Sequence, residues 1–349
     1  MRRALTFCAI ATVLFMLFSL PASASDASEE YLEKFYEAFG GEQLSGRIGV
    51  EELLSEIILA LTDGGGRIFT FLAFSLGGAM LVAASSMLTE GKSVQSATVG
   101  LVVIGMYSQI YELAGYAMEA LEKMSEMFFT LIPIMCGVTL AGGGVSTAGA
   151  EATSMGIVFG AVSGVLTPLF LPLVSLMLVI SVCASLGGEQ VGTFFARVRS
   201  VFIFFLGIAT SVLLGGVALQ RVICSAKDSA AMRVAKYSAS GLLPIIGTTV
   251  SASLSSLASG LDYAKSIIGA QGIYVILVTA LSPLVLILAY RMVLSLSCTL
   301  LSFIGAEGGA RPFSYLTFSF DALLSVYAVS LLLYTFEIVM FMKSGVSLI

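Results

Sequence analysis

The side chains that could do chemistry in this chain are a few charged residues placed inside long apolar runs. Glu337 lies within the apolar run 322–342, and Arg291 lies within the run 273–304. If these runs cross a bilayer, an ionised group near its centre costs at least ~2.5–3.5 kcal/mol, so each residue requires a partner or water. Two plainer interpretations stay open: Glu337 snorkels to an interface, and Arg291 is a short polar link between two half-spans.

Two more acids stand at matching distances after a shared motif. The motif Leu-Ile-Pro-Ile at 131–134 recurs as Leu-Leu-Pro-Ile at 242–245. Glu151 and Asp262 each follow the proline of their motif by 18 residues. Ionisable side chains at membrane depth mark ion or substrate pathways, so both acids are candidates for a transport site.

The likeness between the two regions continues beyond these acids. Thr-Pro-Leu at 167–169 matches Ser-Pro-Leu at 282–284, and the glycine-bearing loops that follow carry Glu189 and Glu307. The offset between matched positions drifts only from 111 to 118 residues, which indicates an internal duplication. The two predicted copies are repeat 1, about 96–200, and repeat 2, about 201–342.

The charges that precede each motif predict opposite orientations for the two copies. Residues 112–126 are acidic and residues 221–240 are basic, and cytoplasmic loops collect Lys and Arg. If both stretches are loops, 112–126 lies outside and 221–240 lies in the cytoplasm, which requires three crossings per copy. The predicted arrangement is an inverted-topology pair, which is typical of transport proteins whose sites lie at broken helices.

Breaks of this kind have a physical cause here, because each proline removes a helix donor and frees a carbonyl. The glycines and small polar residues nearby allow close helix approach or line a wet path; the alternative is ordinary packing of kinked helices. The candidate gating or transport positions are Pro133, Pro244, Gly247, Pro168, Pro283, Glu151, Asp262, Glu189, Glu307 and Arg291.

Several kinds of chemistry are excluded by what the chain lacks. It has no His, which excludes histidine bases, Ser-His-Asp triads and histidine metal ligands. Its five Cys form no CxxC pair and are typical of small buried apolar residues. No Walker loop is present, and Glu151 and Asp262 are predicted on opposite faces, so they form no acid pair. We therefore predict no enzyme activity, no cofactor and no metal site.

Composition places the chain in a bilayer. Of its 349 residues, 58% are hydrophobic and 11% are charged, against roughly 45–50% and 25% in a soluble domain. A water-soluble fold could not cover that much apolar surface. No basic stripe with interleaved aromatic residues occurs, which excludes nucleic-acid binding.

The N-terminal region predicts export. Residues 1–24 have a charged start, an apolar core and an Ala-Ser-Ala cleavage site at 22–24, which together indicate a secretory signal peptide. The alternative is a retained first membrane helix. Residues 25–66 are acidic and carry apolar residues at helical spacing, so two amphipathic helices are predicted on the non-cytoplasmic side.

The remainder, 67–349, is predicted to be an all-α, polytopic membrane domain, because bare backbone is not tolerated in lipid and no barrel pattern is present. A span needs about 20 apolar residues. Seven or eight spans are expected after the signal peptide, at 68–88, 96–111, 127–142, 156–183, 201–220, 241–259, 273–290 and 322–342.

Over roughly 30–349 the chain resembles the stage III sporulation protein AE family of endospore-forming bacteria. The order and spacing of short motifs carry the resemblance. These motifs are Lys236-Tyr-Ser-Ala-Ser-Gly241-Leu-Leu-Pro244-Ile-Ile-Gly247, the Ser-rich stretch 251–259, Ser282-Pro283, and Glu307-Gly-Gly309.

The resemblance implies a non-enzymatic subunit of a transenvelope channel, in the mother-cell membrane that surrounds the forespore, needed for sporulation and late forespore gene expression. It implies partners among the other stage III A proteins and, across the intermembrane space, stage II sporulation protein Q. An energised channel would add a separate ATPase subunit. The alternative from the residues themselves is a self-sufficient small-solute transporter built on inverted repeats.

Overall fold

Helix accounts for nearly all of the chain that the structure describes, as expected of a backbone that must satisfy its own hydrogen bonds in lipid. The computed structural model describes residues 50–88, 92–187, 189–242 and 247–344. The predicted signal peptide at 1–24 and most of the acidic segment at 25–66 lie outside the described residues.

The described residues form seven α-helices that follow one another closely along the chain. They are α1 (Val50–Leu88), α2 (Lys92–Ala141), α3 (Val145–Ala161), α4 (Thr167–Gly187), α5 (Glu189–Leu242), α6 (Gly247–Phe303) and α7 (Glu307–Lys343). A π-helical segment, Val162–Leu166, joins α3 to α4, so that the two form one continuous column. This segment lies just before Pro168, whose missing N–H leaves the ordinary helical ladder incomplete there.

Six of the described segments are long and apolar enough to cross a membrane. They are Gly64–Leu88, Ala97–Ala141, Val145–Ile180, Ala196–Ala231, Ser259–Phe303 and Gly309–Lys343. The sequence predicts seven or eight spans, and the difference has a local cause. The predicted spans 96–111 and 127–142 both belong to α2, and 241–259 covers the end of α5 and the start of α6 rather than a separate span.

The acidic stretch 112–126 continues α2 because its charges occupy one face. Its acids Glu112, Glu119, Glu122 and Glu126 are exposed. Between them, Leu113, Ala117, Leu121 and Met124 are buried against the bundle. An amphipathic stretch of this kind is stable as helix, so charge alone does not mark a loop.

The helices alternate in direction, and contacts at the two ends show this. At one end, Gly309 of α7 packs against Val82 of α1 and Leu301 of α6. The start of α2 and the end of α4 meet there, where Val103 and Leu178 line the same groove. The opposite end contains the Gly142–Gly144 turn between α2 and α3, and we call it the glycine-turn end.

This alternation differs from the inverted arrangement predicted for the repeat. In the proposed duplication, α2 of repeat 1 corresponds to α5 of repeat 2. The α3–α4 column corresponds to α6. Two helical columns, α2 and the α3–α4 column, therefore separate each helix from its match instead of three, so matched helices run in the same direction. The prediction depended on 112–126 being a loop between two spans, and that stretch lies inside α2.

The predicted breaks also differ in their position. Pro133, Pro172 and Pro283 lie inside continuous helices. The described turns are made by glycine instead: Gly143 has φ +79° and Gly305 has φ +83°, a backbone conformation that side chains disfavour. The connection at 243–246, which includes Pro244, lies outside the described residues.

The core is rich in aromatic residues, and α7 is the most enclosed of the six spans. Phe71 of α1 stacks on Tyr290 of α6 with ring centroids 4.1 Å apart, and Phe128 of α2 meets Tyr334 of α7 at 4.5 Å. Helix α5 is the least enclosed of the six, and its outer face carries exposed apolar side chains. That distribution matches a bundle whose outer surface contacts lipid.

Candidate functional site

The candidate site is built where α2 turns back into α3 at the glycine-turn end. The amides of Gly142, Gly143 and Gly144 donate to the carbonyls of Val138, Leu140 and Thr139, which closes the end of α2. The turn brings the last part of α2 beside the first two turns of α3. As a result Thr139, near the end of α2, lies against Glu151 in α3.

Glu151 is fully buried and has two hydroxyl partners on different helices. Thr139 Oγ1 lies 2.6 Å from Glu151 Oε2, and Ser344 Oγ lies 2.6 Å from Oε1. Ser344 is the C-cap residue that follows α7, so the carboxyl of Glu151 links α2, α3 and the end of α7. A buried carboxyl would be costly without such partners, because burial removes its water.

Lys265 of α6 joins the same group from the opposite side of Ser344. Its Nζ donates to the carbonyl of Ser344 at 2.9 Å and to Ser344 Oγ at 3.3 Å. The ammonium also lies over the ring of Phe341, 5.5 Å from its centroid. A cation at the end of α7 is stabilised by the negative end of the helix dipole.

A buried ion pair lies next to Glu151 along α3. Arg221 of α5 is 2% exposed and Glu337 of α7 is 0% exposed, and Arg221 Nη2 donates to Glu337 Oε2. Ser154 lies between them, 3.3 Å from Arg221 Nη2 and 3.4 Å from Glu337 Oε2. Ser154 Oγ also lies 3.2 Å from the carbonyl of Glu151, which connects the pair to Glu151.

The start of α3 is capped by a side chain from another helix. Asp228 of α5 accepts from the backbone N–H of Ser146 at 3.2 Å and of Thr147 at 2.5 Å. The first N–H groups of a helix have no partner within the helix, and Gly144, at the N-cap position, has no side chain to supply one. Asp228 therefore supplies in trans a cap that the sequence of α3 lacks.

These residues form one unit that we call the polar cluster. Its members are Thr139, Thr147, Glu151, Ser154, Arg221, Asp228, Lys265, Glu337 and Ser344. Three carboxyl groups face two cations, so the formal charge of the cluster is −1 with every group ionised. Several of its buried polar atoms have no protein partner: Thr147 Oγ1, Arg221 Nε, Arg221 Nη1 and Glu337 Oε1. Such atoms are uncommon in a protein interior, where most buried polar groups are paired.

A second ion pair lies farther along the bundle. Arg291 of α6 donates through Nε to Asp321 of α7, and the two side chains are 38% and 18% exposed. In the same region Arg67 lies over the ring of Tyr116, and Tyr116 forms a 3.0 Å hydrogen bond with Ser282. This region is partly exposed and is separate from the polar cluster.

Comparison with known proteins identifies the family. The family described as stage III sporulation protein AE matches residues 30–345 of this chain. The chain belongs to this family. A relative from Bacillus subtilis (strain 168), named stage III sporulation protein AE, is 20% identical over 218 residues, which cover 62% of this chain and 55% of the relative. The match thus spans about half the length of that relative. No solved structure matches the chain.

The family prediction is therefore confirmed, and so is the all-α membrane architecture. Among the described residues the structure contains no group of three or more His, Cys, Asp or Glu that could hold a metal. The described cysteines Cys136, Cys183, Cys224 and Cys298 are free thiols. Cys183 is exposed and the other three are half-buried, so the prediction of small buried residues describes them only in part.

The structure places one predicted site residue, Glu151, at the centre of the polar cluster. The others lie elsewhere. Pro133, Pro168 and Asp262 are exposed, Pro283 is buried in α6, and Arg291 pairs with Asp321. Glu189, Gly247 and Glu307 are the first residues of α5, α6 and α7. Pro244 lies outside the described residues.

Three interpretations change with these positions. Glu337 does not snorkel to an interface, because it is fully buried against Arg221. Arg291 does not link two half-spans, because α6 continues through it. Asp262 lies one turn before Lys265 in α6, and Lys265 and Glu151 both contact Ser344. Asp262 and Glu151 therefore lie at the same end of the bundle and not on opposite faces.

Sequence reasoning missed Arg221, Asp228 and Lys265 as site residues. Arg221 and Asp228 were assigned to a basic cytoplasmic loop, yet both are buried in α5. A signal was present, because Glu337 inside an apolar run requires a cation and Arg221 directly follows the apolar run 201–220. What the sequence could not supply was which helix faces which.

Proposed function

We propose that this protein is a non-enzymatic membrane subunit of a channel complex that connects the mother cell to the forespore. In this role it is needed for sporulation and for late forespore gene expression. The observation that carries the proposal is the family match over 30–345, which extends across all six apolar helices of the structure. A subunit that is mostly membrane helix suits a channel better than a soluble catalyst.

The proposal includes the surroundings of the chain. The protein resides in the mother-cell membrane around the forespore, with a signal peptide at 1–24 and the segment 25–66 on the non-cytoplasmic side. Its partners are other stage III A proteins, stage II sporulation protein Q indirectly, and a separate ATPase subunit. The bilayer itself surrounds 67–349, because the outer faces of the helices carry many exposed apolar residues.

The polar cluster supports an active role in the channel complex rather than a role as a membrane anchor alone. Buried charges within membrane helices are costly and mark pathways or moving parts. Here they connect α2, α3, α5, α6 and α7 at one end of the bundle. The junction between α5 and α6, with Pro244 and Gly247, remains our candidate gate beyond that cluster.

The test is complementation in the sporulating organism that carries this gene. Deletion should abolish heat-resistant spores and a late forespore reporter, while a mother-cell reporter is retained until engulfment. Wild-type protein should restore both, and Arg221→Met should not, although it reaches the membrane. Glu119→Gln is the matched control, because Glu119 is an exposed acid on α2 that pairs only with Lys123 one turn away.

Two outcomes would contradict the proposal. One is a normal late forespore reporter in the deletion strain. The other is a complex that keeps all its remaining components when this protein is absent. Pull-down of tagged stage III A proteins from sporulating membranes measures this.

A second candidate function is a self-sufficient small-solute transporter. The observation that favours it is the turn at Gly142–Gly144, where an interrupted pair of helices meets buried charges, as at transporter sites. Purified protein in liposomes separates the two functions. Solute flux without partners would favour the transporter, and a strict need for partner subunits would favour the channel component.

A further inference from the structure

We propose that the acidic segment 25–49 docks onto the glycine-turn end of the bundle, where it meets exposed cations of α5 and α7. The segment lies outside the described residues, so it is identified by its charge, its length and the place where it joins α1. The proposal goes beyond the role in sporulation, because it assigns a partner to a surface that the polar cluster does not use. The interaction is by charge, and no covalent bond forms or breaks.

Three cations are exposed at the glycine-turn end. They are Lys227 and Arg233 of α5 and Lys343 in the last turn of α7. Among the described residues none of the three has an ion-pair partner. One exposed acid, Asp262, lies at the same end, and the buried polar cluster carries a formal charge of −1. Together these groups leave a net charge of +1, so the surface suits an acidic partner.

The cations lie where the outer face of α5 changes from apolar to polar. Ile223, four residues before Lys227, is exposed, as expected of a side chain that contacts lipid. Asp228 caps the start of α3, and Lys343 is the last residue of α7, so two neighbouring helices begin or end at this level. Lys227 and Lys343 thus mark the edge of the bilayer. Arg233 lies about 9 Å beyond it, where a water-exposed segment can reach it.

Helix α1 runs parallel to α6, which fixes the end at which α1 begins. Gly64 packs against Leu286, and Ser75 is hydrogen-bonded to Ser297 at 2.7 Å. The two contacts are 11 residues apart on each helix. The helices therefore keep the same direction and the same register along this contact.

The start of α1 lies close to the glycine-turn end. Val50 is 14 residues before Gly64, and the equivalent step along α6 ends at Gly272. Gly272 packs against Ile338 of α7, five residues before Lys343. At 1.5 Å per residue, α1 therefore begins roughly 10 Å from the level of Lys343. Segment 25–49 joins the bundle at the end that carries the cations.

The segment is long enough to reach all three cations. Helices α1 and α5 both pack against α6, so their axes are at most about 20 Å apart. With the axial step of roughly 10 Å, the path from Val50 to the end of α5 is roughly 20–25 Å. Even as a continuous helix, the 20 residues from Glu30 to Val50 span about 30 Å.

The sequence of the segment carries the opposite charge. Residues 25–49 contain six acids and two bases, a net charge of −4. Four of the acids recur at the spacing of one helix face, so the amphipathic helix predicted here presents a row of carboxylates: Asp26, Glu30, Glu33 and Glu37. Because the segment is tethered to α1, it meets the cations at a high effective concentration, which favours it over lipid headgroups and other proteins.

Both groups of charges lie on one side of the membrane. Helix α1 begins and α5 ends at the glycine-turn end, so segment 25–49 and the cations share a side. The export signal proposed at 1–24 puts that side outside the cytoplasm, whereas the basic charge of 221–240 predicts a cytoplasmic position. Docking reconciles the two, because the acidic segment offsets cations that oppose this orientation.

The first test is photo-cross-linking of the purified full chain in nanodiscs of phosphatidylethanolamine and phosphatidylglycerol. Benzoylphenylalanine replaces Ala230, an exposed residue of α5 between Lys227 and Arg233. Irradiation should join it to a peptide from 25–49, identified by mass spectrometry. The control is the same probe at Ala209, an exposed residue about 32 Å away along α5, which should give no such peptide.

The proposal is overturned if no 25–49 peptide is joined at Ala230, or if Ala209 gives the same yield. Adducts with phosphatidylglycerol in place of the peptide would assign the cations to lipid headgroups instead. A mixture of isotopically light and heavy protein tests whether the segment belongs to the same copy. Cross-links between light and heavy copies alone would assign the surface to a second copy and overturn docking within one chain.

The second test asks whether charge holds the segment. In the wild type, the yield at Ala230 should fall as the salt concentration rises to 1 M, where the screening length is about 3 Å. Replacement of all three cations by glutamine should lower the ratio of docked to undocked protein about 3- to 150-fold, since each exposed ion pair contributes a factor of about 1.4–5. The matched control replaces three exposed cations elsewhere by glutamine and should leave the yield unchanged: Lys123, Arg197 and Arg311.

A charge swap separates docking from a general effect on the fold. Lys227→Glu with Arg233→Glu should abolish the cross-link, and Glu33→Lys with Glu37→Lys should restore it in the same chain. A wild-type yield that does not change with salt overturns the role of charge, even if none of the variants folds.

These tests use the purified chain and no sporulating cell, so they are independent of the proposed function. A protein that forms the cross-link but whose deletion leaves sporulation normal would refute the proposed function and leave docking intact. A protein that supports sporulation but forms no cross-link to 25–49 would refute docking alone.

Discussion

Removal of one partner of the Arg221–Glu337 pair should be far more damaging than removal of both. The pair is almost completely enclosed, with exposures of 2% and 0%. Arg221→Met leaves the carboxylate of Glu337 buried without its cation, and Glu337→Leu leaves the guanidinium without its anion. Loss of one partner of a buried pair costs about 3–5 kcal/mol, because the other charge stays desolvated.

The double variant removes both charges and keeps similar side-chain volume. Apolar replacement of a whole buried pair is often neutral or stabilising by about 1–4 kcal/mol. The two single effects should therefore not add, and the coupling free energy should be at least about 3 kcal/mol. Ser154 loses its partners in the double variant but still has the carbonyl of Glu151 at 3.2 Å.

The assay is chemical unfolding of the purified protein in bicelles, with the free energy of unfolding measured for wild type, both single variants and the double variant. The exposed pair Glu119–Lys123 gives the comparison, since its side chains are 60% and 58% exposed and should show no measurable coupling. A coupling free energy below about 1 kcal/mol at Arg221–Glu337 would refute the reasoning, because it would mean that the pair is not desolvated.

Four further substitutions test capping, packing and a buried hydrogen bond. Asp228→Ala should destabilise the protein by about 1 kcal/mol and speed amide exchange at the start of α3, because two helix N–H groups lose their acceptor. Gly309→Ala should cost about 1–3 kcal/mol, since its new methyl group meets Val82. Gly207 has open space around it, so Gly207→Ala should instead stabilise α5 by about 0.5–1 kcal/mol. Equal changes in the free energy of unfolding for the two glycine variants would contradict the packing at Gly309. Ser75→Ala should cost only about 0.6 kcal/mol in the same unfolding assay, because Ser297 keeps a backbone acceptor.

The architecture was predictable because it depends on composition. A chain with 58% hydrophobic residues and few charges has to place its helices in lipid, whatever their order. Long apolar runs also fix where most helices lie. The continuity of α2 was harder to predict, because the acids from Glu112 to Glu126 lower the mean hydropathy even though they occupy only one face.

The polar cluster was predictable only in part. Glu151 was found from its distance to Pro133, and Glu337 was known to need a partner. The partner itself is set by helix rotation and packing, and Arg221 lies 116 residues away in sequence. Lys265 gave no signal at all, because a lysine three residues after Asp262 is typical of an exposed helical pair. No local pattern states that its ammonium reaches the end of α7.

The trans cap on α3 has a consequence for how the chain enters the membrane. Helices insert from the N-terminus onward, so α3 is made well before α5 delivers Asp228. Until then its first N–H groups depend on water, which favours an intermediate that stays at the interface. Arg221 lacks its ion-pair partner for longer still, because Glu337 belongs to α7, which is synthesised after α5 and α6. A nascent chain stopped after α6 therefore holds a guanidinium without its carboxylate, and the pair forms only when α7 is complete.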